Sequence, residues 1–250
     1  MAELEYLADS DAAYVRRFQS RVRALPPGGA ILESTYFYPT GGGQPADLGL
    51  LRRLDDDTAW KVTDVQRSGG TALHRLGRAP SGSAPLAAGN LVEGEIDWER
   101  RYRHMRLHTG QHLLSARLFA LHQRRTRGAK FSGTGGTLEL EPGPPLALAP
   151  LADDLAEWIG ADRNVHITFV PRTEYERSPA SRSSALALPS NVDPVRVVEI
   201  EEADRCPCGG THVRRLGEVG PVEVTSATDL VGGSTEVAFR IASAPPRPSG

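Results

Sequence analysis

The chain is poor in several residues that would announce a class of protein. It has two cysteines, Cys206 and Cys208. A single residue separates them, too close for an ordinary disulfide to staple a fold. A disulfide scaffold is therefore excluded, and a reducing, cytoplasmic setting is expected. Aromatic residues make up only 6% of the chain. No segment approaches the roughly 18 apolar residues needed to cross a bilayer, so no membrane role is expected. The N-terminus, MAELEYLADSD, is acidic and has no long apolar run, which argues against a signal peptide. Lysine is nearly absent: Lys61 and Lys130 stand alone, and arginine carries the remaining positive charge. What is present is ordinary for a soluble globular protein, with 250 residues, 39% apolar and 24% charged. That is enough for a sizeable core in one large domain or two modest ones.

The net charge of −2 hides an uneven distribution. Between Trp98 and Phe131 there are eight arginines and Lys130 against one acid, Glu99, a local balance of +8 that leaves −10 for the rest. Such asymmetry points to a polyanionic partner.

Residues 1–95 read as short strands: RVRAL, AILESTYFY, LGLLRRL, AWKVTDVQ and TALHRL. Turn clusters such as PPGG, PTGGGQPAD and RSGG separate them. This spacing predicts a small antiparallel barrel or sandwich. GNLVEGEIDWERR returns to strand, and a helix is expected over roughly 103–123. On a helical wheel Leu107, Leu114, Leu118 and Leu121 form a buried stripe. His108, His112, Ser115 and Phe119 form a second face, and Arg106, Arg117 and Arg124 a third, basic one. Beyond the helix, GTLELEP, NVHITFVPR and VRVVEIEE read as strands and LADDLAEWIGAD as a helix. VEVTSAT and TEVAFRIA close the chain as a hairpin. The fold class is α+β: a small N-terminal β-barrel domain over 1–95, then an α+β domain over 96–242 with helices packed on an antiparallel sheet. A disordered tail is expected over 243–250.

Three motifs carry chemistry. In His108-Thr-Gly-Gln-His112 the i, i+4 spacing puts both imidazoles on one helical face, where they can share a metal ion. In Cys208-Gly-Gly-Thr-His212 a thiolate and an imidazole flank a tight glycine turn. Cys206 is an alternative thiol, but the Gly-Gly turn favours Cys208. Three imidazoles and one thiolate suit Zn²⁺. Four ligands would close the site, whereas catalysis needs an open position, supplied either by His212 giving way or by a longer-range rearrangement. Thr109 stands where a metallopeptidase HExxH motif has its glutamate, which argues against that class. The third motif is the glycine-rich loop Tyr38-Pro-Thr-Gly41-Gly42-Gly43-Gln44-Pro-Ala-Asp47-Leu-Gly49. It is neither a P-loop nor a dinucleotide fingerprint. It reads either as a backbone cradle for a phosphate or ribose or as a long hairpin loop.

Taken in order, FYPTGGGQPADLG, DWERRYRHMRLHTGQHLLS and CPCGGTHV resemble the freestanding alanyl-tRNA editing proteins, the AlaX family. They also resemble the editing domain of alanyl-tRNA synthetase and, more distantly, that of threonyl-tRNA synthetase. The resemblance runs over roughly residues 30–240. It implies that His108, His112, Cys208 and His212 hold one Zn²⁺ per chain. It implies hydrolysis of the ester of mischarged tRNA(Ala), chiefly Ser-tRNA(Ala) and sometimes Gly-tRNA(Ala), without ATP. Gly41, Gly42, Gly43 and Gln44, with Asp47 and Gly49, match the loop of the medium and long forms, and a stop soon after the last predicted strand is what the resemblance leads one to expect of the medium form. The family pocket has a polar residue shortly after the basic loop, for which Ser132 and Thr137 are candidates, with Gln111 between the histidines. Arg100, Arg101 and Arg103, then Arg124, Arg125, Arg127 and Lys130, are the candidates to meet acceptor-stem phosphates. The partner expected is the acceptor end of tRNA(Ala), bound by a cytoplasmic monomer. The competing reading is a tRNA-binding module with a structural zinc and no catalysis.

Overall fold

The computed structural model describes residues 3–68, 70–79, 81–177, 184–185, 188 and 191–242. The tail expected to be disordered, 243–250, lies outside the described residues. Two compact units divide the chain, Met1–Tyr102 and Arg103–Gly250.

The first unit contains β1 (Glu3–Leu4), β2 (Arg17–Ala24), β3 (Gly29–Leu32), β4 (Ser34–Thr35), β5 (Gly49–Arg53), β6 (Ala59–Ser68), β7 (Thr71–Leu76) and β8 (Leu91–Ile96). β1 and β4 form a short parallel pair. The other six strands close on themselves in the order β2-β3-β7-β6-β5-β8. Alternation drives this: in β8 every second residue is buried, and the inward side chains of successive strands fill the interior. Val22, Leu32, Phe37, Leu51, Val62 and Val92 make that core. Gly49 is dictated by closure, because a Cβ there would sit 2.0 Å from the Glu95 carbonyl on the neighbouring strand.

The glycine-rich loop is a structured hairpin. Gly41 and Gln44 exchange both backbone hydrogen bonds, at 3.1 and 2.9 Å. Between them Gly42 and Gly43 have φ of 55° and 83°, the left-handed pair that a tight primed turn requires. Buried Asp47 ties the loop's base by accepting the Tyr38 N–H at 2.6 Å. Its other partner is Arg101, whose Nε donates to both carboxylate oxygens at 3.0 Å.

α1 (Trp98–His122) starts earlier than its apolar periodicity indicates. The Asp97 carboxylate accepts the Arg100 N–H at 3.1 Å and caps the helix. Along the chain follow β9 (Thr126–Ser132), β10 (Gly135–Leu140), α2 (Ala149–Gly160), β11 (Val165–Val170), α3 (Arg172–Arg177), β12 (Val195–Ile200), β13 (Asp204–Pro207), β14 (Val222–Asp229) and β15 (Thr235–Ile241).

The second unit has two antiparallel sheets rather than the one expected: β14-β15-β10-β9 and β11-β12-β13. α1 lies on the first of these at Gly110. A Cβ there would meet Val222 at 3.3 Å and Ile241 at 3.8 Å, so the missing side chain lets helix and sheet approach closely. The stretch around Arg124–Arg127, read as a basic loop, leads into β9, which pairs along its length with β10.

The three-faced view of α1 needs correction. Every residue from His104 through Ala116 is buried, so the central turns have no solvated face. Arg106 is 1% exposed. Its guanidinium donates to the carbonyls of Glu218, Val219 and Ala242 at 2.9–3.1 Å. Leu121, expected in the buried stripe, is exposed near the helix end. No helix among the described residues is long and apolar enough to cross a membrane.

Candidate metal centre

Two elements deliver the four donors. α1 supplies His108 and His112 from adjacent turns, their ring centroids 5.2 Å apart. The turn after β13 supplies Cys208 and His212. That turn is anchored to β12: the Cys208 N–H donates to the Arg196 carbonyl at 3.2 Å, and Arg196 Nη1 returns a bond to the Cys208 carbonyl. The Gly210 N–H points at Cys208 Sγ at 3.3 Å, which only a tight turn allows.

Cys208 Sγ lies 3.4 Å from His108 Nε2 and 3.4 Å from His212 Nε2. One donor atom from each of the four residues fits within 4.8 Å of the other three. A tetrahedral zinc with sulfur at ~2.3 Å and nitrogen at ~2.0 Å sets its sulfur and nitrogen ligands roughly 3.5 Å apart. The spacing and the borderline-soft donor set therefore fit such an ion. His108, His112 and His212 are buried and Cys208 is half-buried.

At Cys208 and His212 the electrostatics agree with this arrangement. Burial opposes ionisation of the Cys208 thiol, yet the His108 and His212 imidazoles outweigh it and hold the thiol well below its usual range. Burial and the neighbouring His108 push His212 toward its neutral form, the form that ligates. Thr109 secures that ring: its Oγ1 lies 3.1 Å from His212 Nδ1 and accepts the Val213 N–H at 3.2 Å. On the other side, His112 Nδ1 lies 3.5 Å from Asp204 Oδ2. Neither Thr109 nor Asp204 stands out as a partner in sequence, since each is one common polar residue among many.

The three candidate pocket residues part company. Gln111 is buried in the same helical turn as His112. Its Nε2 donates to Ser115 Oγ at 2.8 Å, and Ser115 in turn bonds Thr126 at 2.7 Å. The Phe131 ring meets His108, with centroids 5.3 Å apart. Phe131 pairs with Gly136 across β9 and β10, and Lys130 with Thr137. Pleating therefore turns Ser132 and Thr137 to the face opposite Phe131. Thr126 is the hydroxyl that joins the buried network near the cluster; its place in a basic run concealed it.

The basic candidates also divide. Arg101 is fully buried and spends its guanidinium on Asp47, the Ala13 carbonyl and the Tyr36 carbonyl. Arg124 is 3% exposed and binds the carbonyls of Glu141 and Pro144 and the Thr235 hydroxyl. Neither presents a charge to a surface, which corrects their expected role at phosphates. Arg100 and Arg103 are half-buried, and Arg100 Nε donates to the Ala46 carbonyl at 3.0 Å. Arg125, Arg127 and Lys130 are exposed. Arg125 pairs with Glu141 at 2.7 Å and Arg127 with Glu139 at 3.6 Å.

In the glycine-rich loop, Gln44 and Asp47 are buried and Gly42 is exposed at the tip. Its glycines are explained by the turn and by strand closure.

Residues 195–236, which include Cys208 and His212, match the family described as "Threonyl and Alanyl tRNA synthetase second additional domain". Residues 10–100 match "tRNA synthetases class II (A)". The class is thus that of proteins sharing domains with these synthetases. The chain is 32% identical over 235 residues to the alanyl-tRNA editing protein AlaX-M of Methanosarcina mazei, covering 90% of both chains. The AlaX-M protein of Methanosarcina acetivorans is also 32% identical, with 90% of this chain and 92% of the relative covered. The alanine–tRNA ligase of Ignicoccus hospitalis is 33% identical over 231 residues, which span 90% of this chain but 25% of the ligase. The chain therefore corresponds to about a quarter of such ligases and to nearly the full length of the AlaX-M proteins. It belongs to the alanyl-tRNA editing protein family, AlaX-M type.

Proposed function

We propose that the chain is a trans-editing hydrolase that deacylates mischarged tRNA(Ala), chiefly Ser-tRNA(Ala) and secondarily Gly-tRNA(Ala), with one Zn²⁺ held by His108, His112, Cys208 and His212. The observation that carries this reading is the four-donor cluster with zinc-like spacing in a member of an editing family. Editing is the chemistry such a family needs, because a synthetase pocket discriminates weakly between small side chains. When bound, zinc supplies Lewis acidity toward an ester carbonyl. Cys208 and His212 are held in a turn tied back to β12 by the Arg196–Cys208 backbone and side-chain bonds. Gln111 is the pocket residue that the reading keeps next to the reacting ester. Arg125, Arg127 and Lys130, with Arg100 and Arg103, receive the acceptor-stem phosphates, where tRNA displaces Glu139 and Glu141 from their arginines. The activity belongs to the cytoplasm, where mischarged tRNA(Ala) arises.

The test is release of serine from Ser-tRNA(Ala), with Ala-tRNA(Ala) alongside, for wild type and His112→Ala. Serine release with alanine spared, abolished in the variant, is the expected result. Equal release by His112→Ala refutes the reading. A second reading, a binding module with structural zinc, is favoured by the completeness of the four-donor set. It requires that chelation unfold the protein and that no serine be released.

A further inference from the structure

His212 and His112 share a feature that the four-donor cluster does not by itself require. Each has its second ring nitrogen facing a side chain of the fold: Thr109 at 3.1 Å and Asp204 at 3.5 Å. The His112 and Asp204 side chains are 6% and 3% exposed, so the pair is sealed from water. Cys206, two residues along β13, joins them in a second group whose donor atoms lie within 4.8 Å of one another. This group has two possible uses. It could hold a second cation bridged through the His112 ring, or Asp204 could orient that ring for the first.

We propose that Asp204 is a positioning residue that fixes the orientation and tautomer of His112. The inference rests on the reading of His108, His112, Cys208 and His212 as a metal site. A neutral imidazole has one N–H and one bare nitrogen, and only the bare one can ligate. A carboxylate beside Nδ1 takes the proton-bearing nitrogen, which leaves Nε2 for the cluster. A second cation would need both nitrogens bare, an imidazolate, and would find only three donors. Carboxylate–imidazole–metal arrangements hold the ring in place and raise its basicity as a ligand.

The fold makes Asp204 suited to this. It pairs with Ile200 at the start of β13, and the same short strand runs on to Cys208. One β-hairpin, β12–β13, thus sets both the thiolate and the carboxylate that orients a histidine on a different element. A shift of that hairpin would move ligand and orienting group together.

The experiment compares wild type, Asp204→Asn, Asp204→Ala and Cys206→Ser as full-length protein. Zinc stoichiometry is measured by elemental analysis and zinc affinity by competition with a chromophoric chelator. The visible absorption of the Co²⁺-substituted protein reports ligand geometry. Wild type is expected to bind one zinc per chain. Asp204→Ala should lose roughly 10–100-fold in affinity and shift the cobalt spectrum. Asp204→Asn, nearly isosteric, keeps an oxygen for the ring N–H and should lose less; it carries the test if Asp204→Ala fails to fold. Cys206→Ser should bind as wild type does. Wild-type affinity and spectrum in both Asp204 variants overturn the proposal. Two zinc ions in wild type, falling to one in Cys206→Ser, overturn it in favour of the bridged site. No zinc in wild type refutes the metal-site reading, and this inference falls with it.

Discussion

His74 offers a test of the first unit that is independent of the metal centre. Its ring is 0% exposed in the barrel interior. Nδ1–H donates to the Ala30 carbonyl at 3.0 Å, and Nε2 accepts the Thr35 hydroxyl at 2.9 Å. Thr35 Oγ1 meanwhile accepts the Phe37 N–H at 3.1 Å. Each group in this chain is satisfied only while the ring is neutral. Burial is the dominant cause and lowers its pKa from 6.5 to about 4, with the Ala30 bond opposing in part. Between these two values the unfolded chain binds more protons than the folded one, so stability rises with pH across the window. The contribution is complete above the unfolded value and is lost as pH falls toward 4. A shift of about 2.5 units corresponds to about 3.4 kcal/mol in total, of which about 2 kcal/mol disappears between pH 7 and pH 5. Few carboxylates titrate in that interval, and comparison with a His74 variant separates this ring from the other histidines. Urea unfolding of wild type and His74→Gln, both carrying Trp98→Phe and Trp158→Phe so that the fluorescence of barrel Trp60 alone reports, should show the wild type losing about 2 kcal/mol more than the variant from pH 7 to pH 5. NMR of the ring should show no titration of His74 above pH 5. A ring that titrates near 6.5, or a variant that loses stability as steeply as wild type, would refute the reasoning.

Other perturbations follow from the same geometry. Asp47→Ala strands a buried guanidinium and should cost about 3–5 kcal/mol, read as a lower Tm; the double change Asp47→Ala with Arg101→Met should recover part of it. Thr109→Val removes the hydroxyl shared by His212 and the Val213 N–H and should cost about 1–3 kcal/mol in thermal unfolding, with Thr109→Ser close to wild type. Cys208→Ala should reduce serine release from Ser-tRNA(Ala) by more than about 100-fold, since losing a ligand costs more than losing a partner outside the ligand set. Charge reversal of Arg125, Arg127 and Lys130 to glutamate should weaken tRNA binding and flatten its salt dependence; unchanged binding at low salt would remove this strand from the tRNA interface.

What could be read from sequence depended on whether a relation was local. His108 and His112 are four apart on a helix, and Cys208 and His212 four apart in a turn; neither spacing is telling alone, but the two together make a ligand set that can be read from sequence. The strands of the first unit were visible because burial alternates with period two along β8 and over the first residues of β6, up to the bulge at Val62–Asp64. β9 was not, because Gly128 and its charges resemble a loop, and only its pairing with β10 makes it a strand. Charge misled where burial is decided by distant partners. Arg101 and Arg106 lie in the same basic run as Arg103, yet Asp47 claims one and the Glu218, Val219 and Ala242 carbonyls the other. Asp204 was invisible for the converse reason. The histidine it meets is not the nearby His212 but His112 on α1, and the β12–β13 hairpin is what carries it there. The same distinction bears on the centre itself. Its donors are specified locally in pairs, but their common focus exists only because α1 and the β13 turn meet. A substitution that loosens that meeting, such as Gly110→Leu against Val219 and Val222, should therefore weaken metal binding while leaving all four donors in place.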